Sequence, residues 1–408
     1  MIRVLMITPE FASEVSGGIG VYVTSICKAF QKLKSEAKLK IDICLVRSYK
    51  LYHFSSFSLR RHTNVISHVF EIKLENRLIK LLKNLEEKNY INFNDVFTFT
   101  LYDCVEEILE EIKTKYDIIH LNDWYSVPIG FLLKKKFRTA KIIFSIHLPA
   151  FTPFSYNPLE KPFINARRII EQFGLFMSDL IIAPSKYVRQ NLYQLYNLSS
   201  RKIVVIHPGV DLSFFKPKKK KLENVEYRNE FQLITVARLT EQKGLDYAIE
   251  IAKMLNEITN FEFTYHIVGT GPLYEYYLRL IRENELNDII RLHGFVDRKK
   301  LLELYQSSDI YLFTSVYEPF GISVVEAMAC GNAVVGFYLG GVREIVRNHI
   351  DGILTVPASV RSLTNAVLKL LGNPQMLTRM KRNAYQRARM FDVINHARKL
   401  YQLYTRLV

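Results

Sequence analysis

One run of the chain constrains its fold more than any other. Asp309-Ile310-Tyr311-Leu312-Phe313-Thr314 is a short apolar stretch that gives way to Glu318-Pro319-Phe320-Gly321. Ile322 to Ala329 then resume an apolar pattern, which stops at Cys330-Gly331. The first stretch has the length of a buried strand, and Pro319 and Gly321 mark a sharp turn out of it. Ile322 to Ala329 can propagate a helix until Gly331 ends it. The first N–H groups of a helix have no intrahelical partner. Those of Gly321, Ile322 and Ser323 therefore form an anion site, with the positive end of the helix dipole behind them. Glu318 precedes the helix on the loop, and Glu326 lies one turn in, on the face of Ile322 and Ser323. Two carboxylates flank one phosphate-sized pocket.

The same strand–loop–helix unit recurs. Arg3 to Ile7 reads as a strand, Thr8 to Ser16 as a loop, and Gly17-Gly18 as the turn into a helix from Ile19 to about Leu33. Ile41 to Val46 is a second strand, and Tyr116 to Leu121 another that ends in Asn122-Asp123-Trp124. Lys141 to Ile146 is a strand ending in His147, and Ser185 caps a helix from Lys186 to about Tyr196. Gln232 to Ala237, a loop, Lys243-Gly244 and a helix from Leu245 restate the opening unit, followed by strands to Val268 and His293. Beyond Gly352 the chain reads as helical. With 408 residues, more than one core usually spans, the expectation is α/β: two facing, doubly wound, Rossmann-like domains with a cleft between them. The expected first domain is 1–210, completed by a C-terminal helix at about 385–408, and the second is 211–384. The stretch from about Asn383 to Leu407 reads as that amphipathic helix. Residues 47–100 are the least legible, and order returns at Tyr116.

Glu318 and Glu326, with seven residues between them and followed by Ala327-Met328-Ala329-Cys330-Gly331 and Gly340-Gly341-Val342-Arg343-Glu344-Ile345-Val346, resemble the Glu-x7-Glu signature of the retaining GT-B glycosyltransferases. That family includes glycogen, starch and sucrose synthases and lipid mannosyltransferases. The resemblance is strongest over 231–352, good over 1–34 and 178–211, and weak over 47–115. It implies that Glu326 holds the ribose hydroxyls of a nucleotide and Glu318 the transferred sugar, with Phe320, Gly321, Ile322 and Ser323 around the donor. Gly17-Gly18 would face the donor diphosphate, and His147 matches the family's active-site histidine. His120-Leu121-Asn122-Asp123-Trp124 resembles the His-x-His-Asp-Trp segment of glycogen and starch synthases, with Asn122 in place of the second histidine. Val15 stands where bacterial ADP-glucose glycogen synthases have lysine, which counts against a plain enzyme of that kind.

Arg238 and Lys243 lie five apart on one loop. Breaking a sugar–diphosphate bond builds negative charge on the leaving phosphate, and two fixed cations can stabilise it. The string around them resembles the family's donor-diphosphate loop, so Glu318, His147, Arg238 and Lys243 are the candidate catalytic residues. Asp123 joins the donor-binding group. No Asp-x-Asp is present, and the resemblance implies no metal and no cofactor. The implied reaction moves a hexose, glucose or mannose, from a nucleotide-diphosphate sugar to an acceptor hydroxyl with retention. The acceptor stays open between an α-glucan and a lipid-linked or cell-envelope glycan.

Composition bounds the alternatives. An apolar fraction of 49% excludes a disordered chain, and no run approaches about 18 apolar residues, so no membrane-spanning helix is expected. Cys27, Cys44, Cys104 and Cys330 lack metal-ligand spacing and read as core thiols of a cytoplasmic protein. The net charge of +16 suits anionic substrates. Peripheral contact with the anionic inner face of a membrane is a further reading; nucleic acid is not an expected partner. A basic, non-enzymatic binding module would explain the charge without requiring the donor residues. A sugar-nucleotide epimerase of the same architecture would lack the paired Glu with Arg238 and Lys243.

Overall fold

The strands are short apolar runs, and Ile118–Asn122, Ile310–Phe313 and Ala333–Phe337 are buried along their whole length, as in a parallel sheet covered by helices on both faces. The computed structural model describes residues 1–8, 18–33, 38–46, 66–72, 112, 114–150, 161–222 and 230–408. These fall into two units, Met1–Gly209 with Val393–Val408, and Val210–Asp392. No helix among the described residues is long and apolar enough to cross a membrane.

In the first unit β1 (Ile2–Thr8), β2 (Leu39–Val46), β3 (Ile66–Ile72), β4 (Ile118–Asn122), β5 (Lys141–Ser145), β6 (Leu180–Ala183) and β7 (Ile203–Val205) form one sheet in the order β3-β2-β1-β4-β5-β6-β7. All its pairings are parallel. The helices are α1 (Gly18–Lys32), α2 (Val127–Lys136), α3 (Lys161–Met177) and α4 (Lys186–Tyr196). Side chains alternate across β1. Val4 and Met6 enter the cluster that holds Val23, Ile26 and Phe30 of α1, whereas Leu5 and Ile7 enter the one that holds Val127 and Leu133 of α2. Ser185 caps α4 by accepting from the Val188 N–H at 3.1 Å.

The second unit holds β8 (Glu230–Val236), β9 (Glu262–Val268), β10 (Ile290–Leu292), β11 (Ile310–Phe313), β12 (Ala333–Phe337) and β13 (Gly352–Thr355), in the order β10-β9-β8-β11-β12-β13. Around them lie α5 (Leu245–Ile258), α6 (Tyr274–Glu283), α7 (Arg298–Ser307), α8 (Ile322–Ala329), α9 (Val342–Ile345), α10 (Val360–Leu371) and α11 (Pro374–Ala388). The chain beyond Gly352 is therefore not wholly helical: Gly352–Thr355 is an edge strand paired with β12. The expected single helix from Asn383 is also broken. α11 ends at Ala388, a 3-10 turn spans Arg389–Phe391, and α12 (Val393–Leu407) follows. Ala384, Ala388 and Phe391 are buried in the second unit's core, so the return to the first unit comes at Val393, later than about 385. α12 buries Val393, His396, Ala397, Leu400 and Tyr404, one helical stripe, against the α1 side of the first sheet. Cys27 and Cys330 are buried free thiols, while the side chain of Cys44 and all of Cys104 lie outside the described residues.

Candidate active site

In each sheet the strand order reverses once, between β1 and β4 and between β8 and β11. Loops at the carboxyl ends of such neighbouring strands diverge and leave a crevice, where open α/β sheets bind ligands. In the second unit these are the loop after β8, which carries Arg238 and Lys243, and the loop after β11, which carries Glu318. The two are clasped together. Thr314 Oγ1 donates to the Lys243 carbonyl at 3.0 Å, and the Val316 N–H to the Gln242 carbonyl at 2.9 Å. Lys243 Nζ consequently lies 2.7 Å from Glu318 Oε2, with side chains 16% and 14% exposed.

Backbone geometry holds Glu318 from behind. A Cβ at Gly340, whose φ is +57°, would stand 2.2 Å from the Glu318 carbonyl oxygen. That oxygen accepts from the Gly341 N–H at 3.0 Å. Only glycine permits this approach, which accounts for the Gly340-Gly341 pair in the sequence. Gly321 turns the chain into α8 with φ 109°. In the first turn, Tyr311 OH donates to the Val236 carbonyl at 3.2 Å, so the Ser323 hydroxyl donates to Tyr311 across 2.8 Å. Lys243, Glu318, Tyr311 and Ser323 border one concavity of about 240 Å³, part of it open solvent.

Glu326 sits deeper, 8% exposed, with Oε2 accepting from Tyr305 OH at 3.1 Å. Burial pushes its carboxyl up to about 7, against the opposing effects of that hydrogen bond and of Arg298. Arg238 is exposed. Phe320 is 3% exposed with its ring 5.7 Å from that of Phe391, so the residue is turned into the core. Ile322 packs partly on the core beneath.

The first unit gathers Asp123 and His147. Asp123 follows β4 with φ 56° and ψ 174°, a positive-φ extended backbone that side chains rarely adopt, and its Oδ1 accepts from the His147 and Leu148 N–H groups at 2.6 and 3.3 Å. Burial raises its carboxyl to about 6, offset in part by the His147 N–H and Arg167. Asn122 Nδ2 donates to the Ile7 carbonyl, which leaves Asn122 Oδ1 to accept from His147 Nε2 at 3.1 Å. Burial lowers His147 to about 4, so the ring is neutral near pH 7 with Nδ1 as its unprotonated nitrogen. Tyr22 of α1 packs edge-on against it at 4.4 Å. Tyr22 OH also lies 3.0 Å from Nε2 of His396, whose Nδ1 donates to the His207 carbonyl at 2.7 Å. α1 begins at Gly18, and Gly17 lies outside the described residues, as do 47–65 and 73–100 of the least legible stretch.

Several participants had no sequence signal strong enough to single them out. Tyr22, Tyr305, Tyr311 and His396 look like core residues of their elements. Arg167 donates to the Leu148 carbonyl at 2.8 Å, and Glu171 accepts from the Ala150 N–H at 2.7 Å, so both brace the loop after His147. Glu171 did carry a signal: it is a carboxylate four residues before Leu175, on the buried stripe of α3.

Two Rossmann-like units of this topology, each matched by a glycosyltransferase family model, place the chain among the GT-B glycosyltransferases. Residues 16–214 match Glycosyltransferase Family 4, and residues 217–387 match Glycosyl transferases group 1. An uncharacterized glycosyltransferase of Methanocaldococcus jannaschii is 27% identical over 300 residues, covering 71% of this chain and 76% of that one. The sucrose-phosphate synthase of Thermosynechococcus elongatus superposes with a TM-score of 0.81 at 19% identity, over 100% of this chain and 99% of its own. Anabaena HepE, solved in complex with UDP-glucose, superposes at 0.69 with 19% identity, over 99% and 100%.

Proposed function

We propose that this glycosyltransferase is a retaining, metal-independent hexosyltransferase that moves glucose or mannose from a nucleotide-diphosphate sugar to an acceptor hydroxyl. The observation that carries this reading is the Lys243–Glu318 pair beside the start of α8. A cation, a carboxylate and the first turn of a helix at one concavity suit a ligand that is both diphosphate and sugar. A nucleotide-sugar donor is in keeping with the UDP-glucose bound by HepE.

In this reading Lys243 and Arg238 hold the diphosphate with the N–H groups of Gly321, Ile322 and Ser323. Glu326 accepts from the ribose hydroxyls, and Glu318 from hexose hydroxyls. Neutral His147 acts at the hexose, its loop pinned by Asp123, and Gly17-Gly18 approach the diphosphate. The bond from the anomeric carbon to the diphosphate oxygen breaks, and the acceptor oxygen bonds to that carbon from the same face. The acceptor proton passes to the departing phosphate oxygen. Positive charge fixed at Lys243 and Arg238 stabilises that oxygen without a Lewis acid.

Incubation with UDP-, GDP- and ADP-glucose and -mannose, reading the nucleoside diphosphate released, tests the activity. Proton couplings at the anomeric centre of the product test retention. No release from any donor would refute the reading, and a product of inverted configuration would remove the same-face step.

A further inference from the structure

α3 exposes three large apolar side chains, Ile169 at 66%, Phe173 at 44% and Phe176 at 55%. Their spacing places them on one stripe of the helix. Phe131 of α2 extends the stripe, its ring edge-on to Phe173 at 5.1 Å. Cations border these rings: Lys135 Nζ lies 4.7 Å above Phe131, and Lys202 Nζ donates to the Phe176 carbonyl at 2.8 Å. Lys136 and Arg138 are exposed at the end of α2. Among the described residues carboxylates are few here: Asp179, just past α3, is 30% exposed and paired with Lys141 at 3.4 Å. α2 has none, and the sole one of α3, Glu171, is 1% exposed and occupied by the Ala150 N–H and Tyr196 OH.

We propose that this face of α2 and α3 docks on an anionic lipid bilayer. The rings of Phe173, Phe176 and Phe131 enter the headgroup boundary, and Lys135, Lys136, Arg138 and Lys202 meet lipid phosphates. Each component alone binds weakly; together they give reversible peripheral attachment. Charge decides between occupants. A second copy presenting the same face in a two-fold dimer would set a basic rim against a basic rim, which is unfavourable. An anionic surface matches the cations of the rim, and the protein's net charge of +16 favours the approach. The inference does not depend on which sugar is transferred.

The test is sedimentation of the full chain with vesicles of phosphatidylcholine alone or with about 30 mol% phosphatidylglycerol. Binding is expected to the anionic vesicles, weakened by salt. The double variant Phe173→Ser/Phe176→Ser should lose roughly tenfold or more in partitioning. Lys135→Glu/Lys136→Glu should lose a similar factor on anionic vesicles. All four positions are at the surface, so melting temperatures should match the parent protein. The proposal fails if the parent chain does not sediment with anionic vesicles, or if neither double variant weakens binding. It also fails if the chain self-associates without lipid and the phenylalanine variant abolishes that, since a second copy would then cover the face.

Discussion

Lys243 Nζ lies 2.7 Å from Glu318 Oε2 across a separation of 75 residues. Both side chains are mostly withdrawn from water, so each charge depends on the other. Lys243→Ala should lower turnover by roughly 10²–10³-fold, and loss of Glu318's partner should cost about 1–3 kcal/mol of stability. Arg238→Ala should give a comparable loss of turnover with a stability change within about 0.5 kcal/mol, because Arg238 is exposed. Steady-state kinetics and urea denaturation of both variants check this. Near-normal turnover in both would remove the two cations from the mechanism.

Glu326 should set activity against stability. Its carboxyl is raised from 4.5 to about 7, so the folded chain binds this proton more tightly than the unfolded chain. The cost is absent below pH 4.5, grows between 4.5 and about 7, and is complete above that. Glu326→Gln should therefore stabilise the ligand-free protein by roughly 2–4 kcal/mol near pH 8 and by little near pH 4. The same change should weaken binding of free UDP or another cognate diphosphate, through loss of a charge-assisted bond worth about 1.5–3 kcal/mol. Glu318→Ala should spare that binding and depress kcat. Melting curves across pH and calorimetry with the free diphosphate decide it. A glutamine variant less stable than the parent near pH 8 would contradict the desolvation account.

Asp123 is expected to tolerate asparagine but not alanine. Asparagine keeps the shape and an acceptor for the His147 and Leu148 N–H groups, which alanine lacks. Asp123→Asn should stay within about 1 kcal/mol of the parent, whereas Asp123→Ala should cost about 2–4 kcal/mol. Urea midpoints of the two variants measure the difference; equal losses would mean that the acceptor is unimportant.

On the proposed mechanism turnover should persist in excess EDTA, since Lys243, Arg238 and the α8 N-terminus would carry the phosphate charge. Abolition by EDTA with recovery on adding Mn²⁺ or Mg²⁺ would assign that charge to a metal.

Local sequence determined the elements of this protein. Ile310 to Phe313 could be read as a buried strand and Ile322 to Ala329 as a helix, because apolar period, proline, glycine and caps act over a few residues. The break at Arg389–Phe391 was not legible in the same way, since the sequence on both sides can be helical. What divides α11 from α12 is that Phe391 packs in one core and Val393 in another. The edge strand Gly352–Thr355 likewise owes its state to pairing with β12, a non-local bond pattern. At the candidate site, Glu318, Glu326, Arg238 and Lys243 could be singled out because the strings around them resemble a family's donor-site motifs. Their arrangement could not. That Lys243 meets Glu318, that Glu326 is withdrawn behind Tyr305, and that Phe320 turns into the core all follow from the β8–β11 adjacency and the packing around it. Burial and pairing between distant segments exist only once the sheet has formed, so only the tertiary structure could decide them.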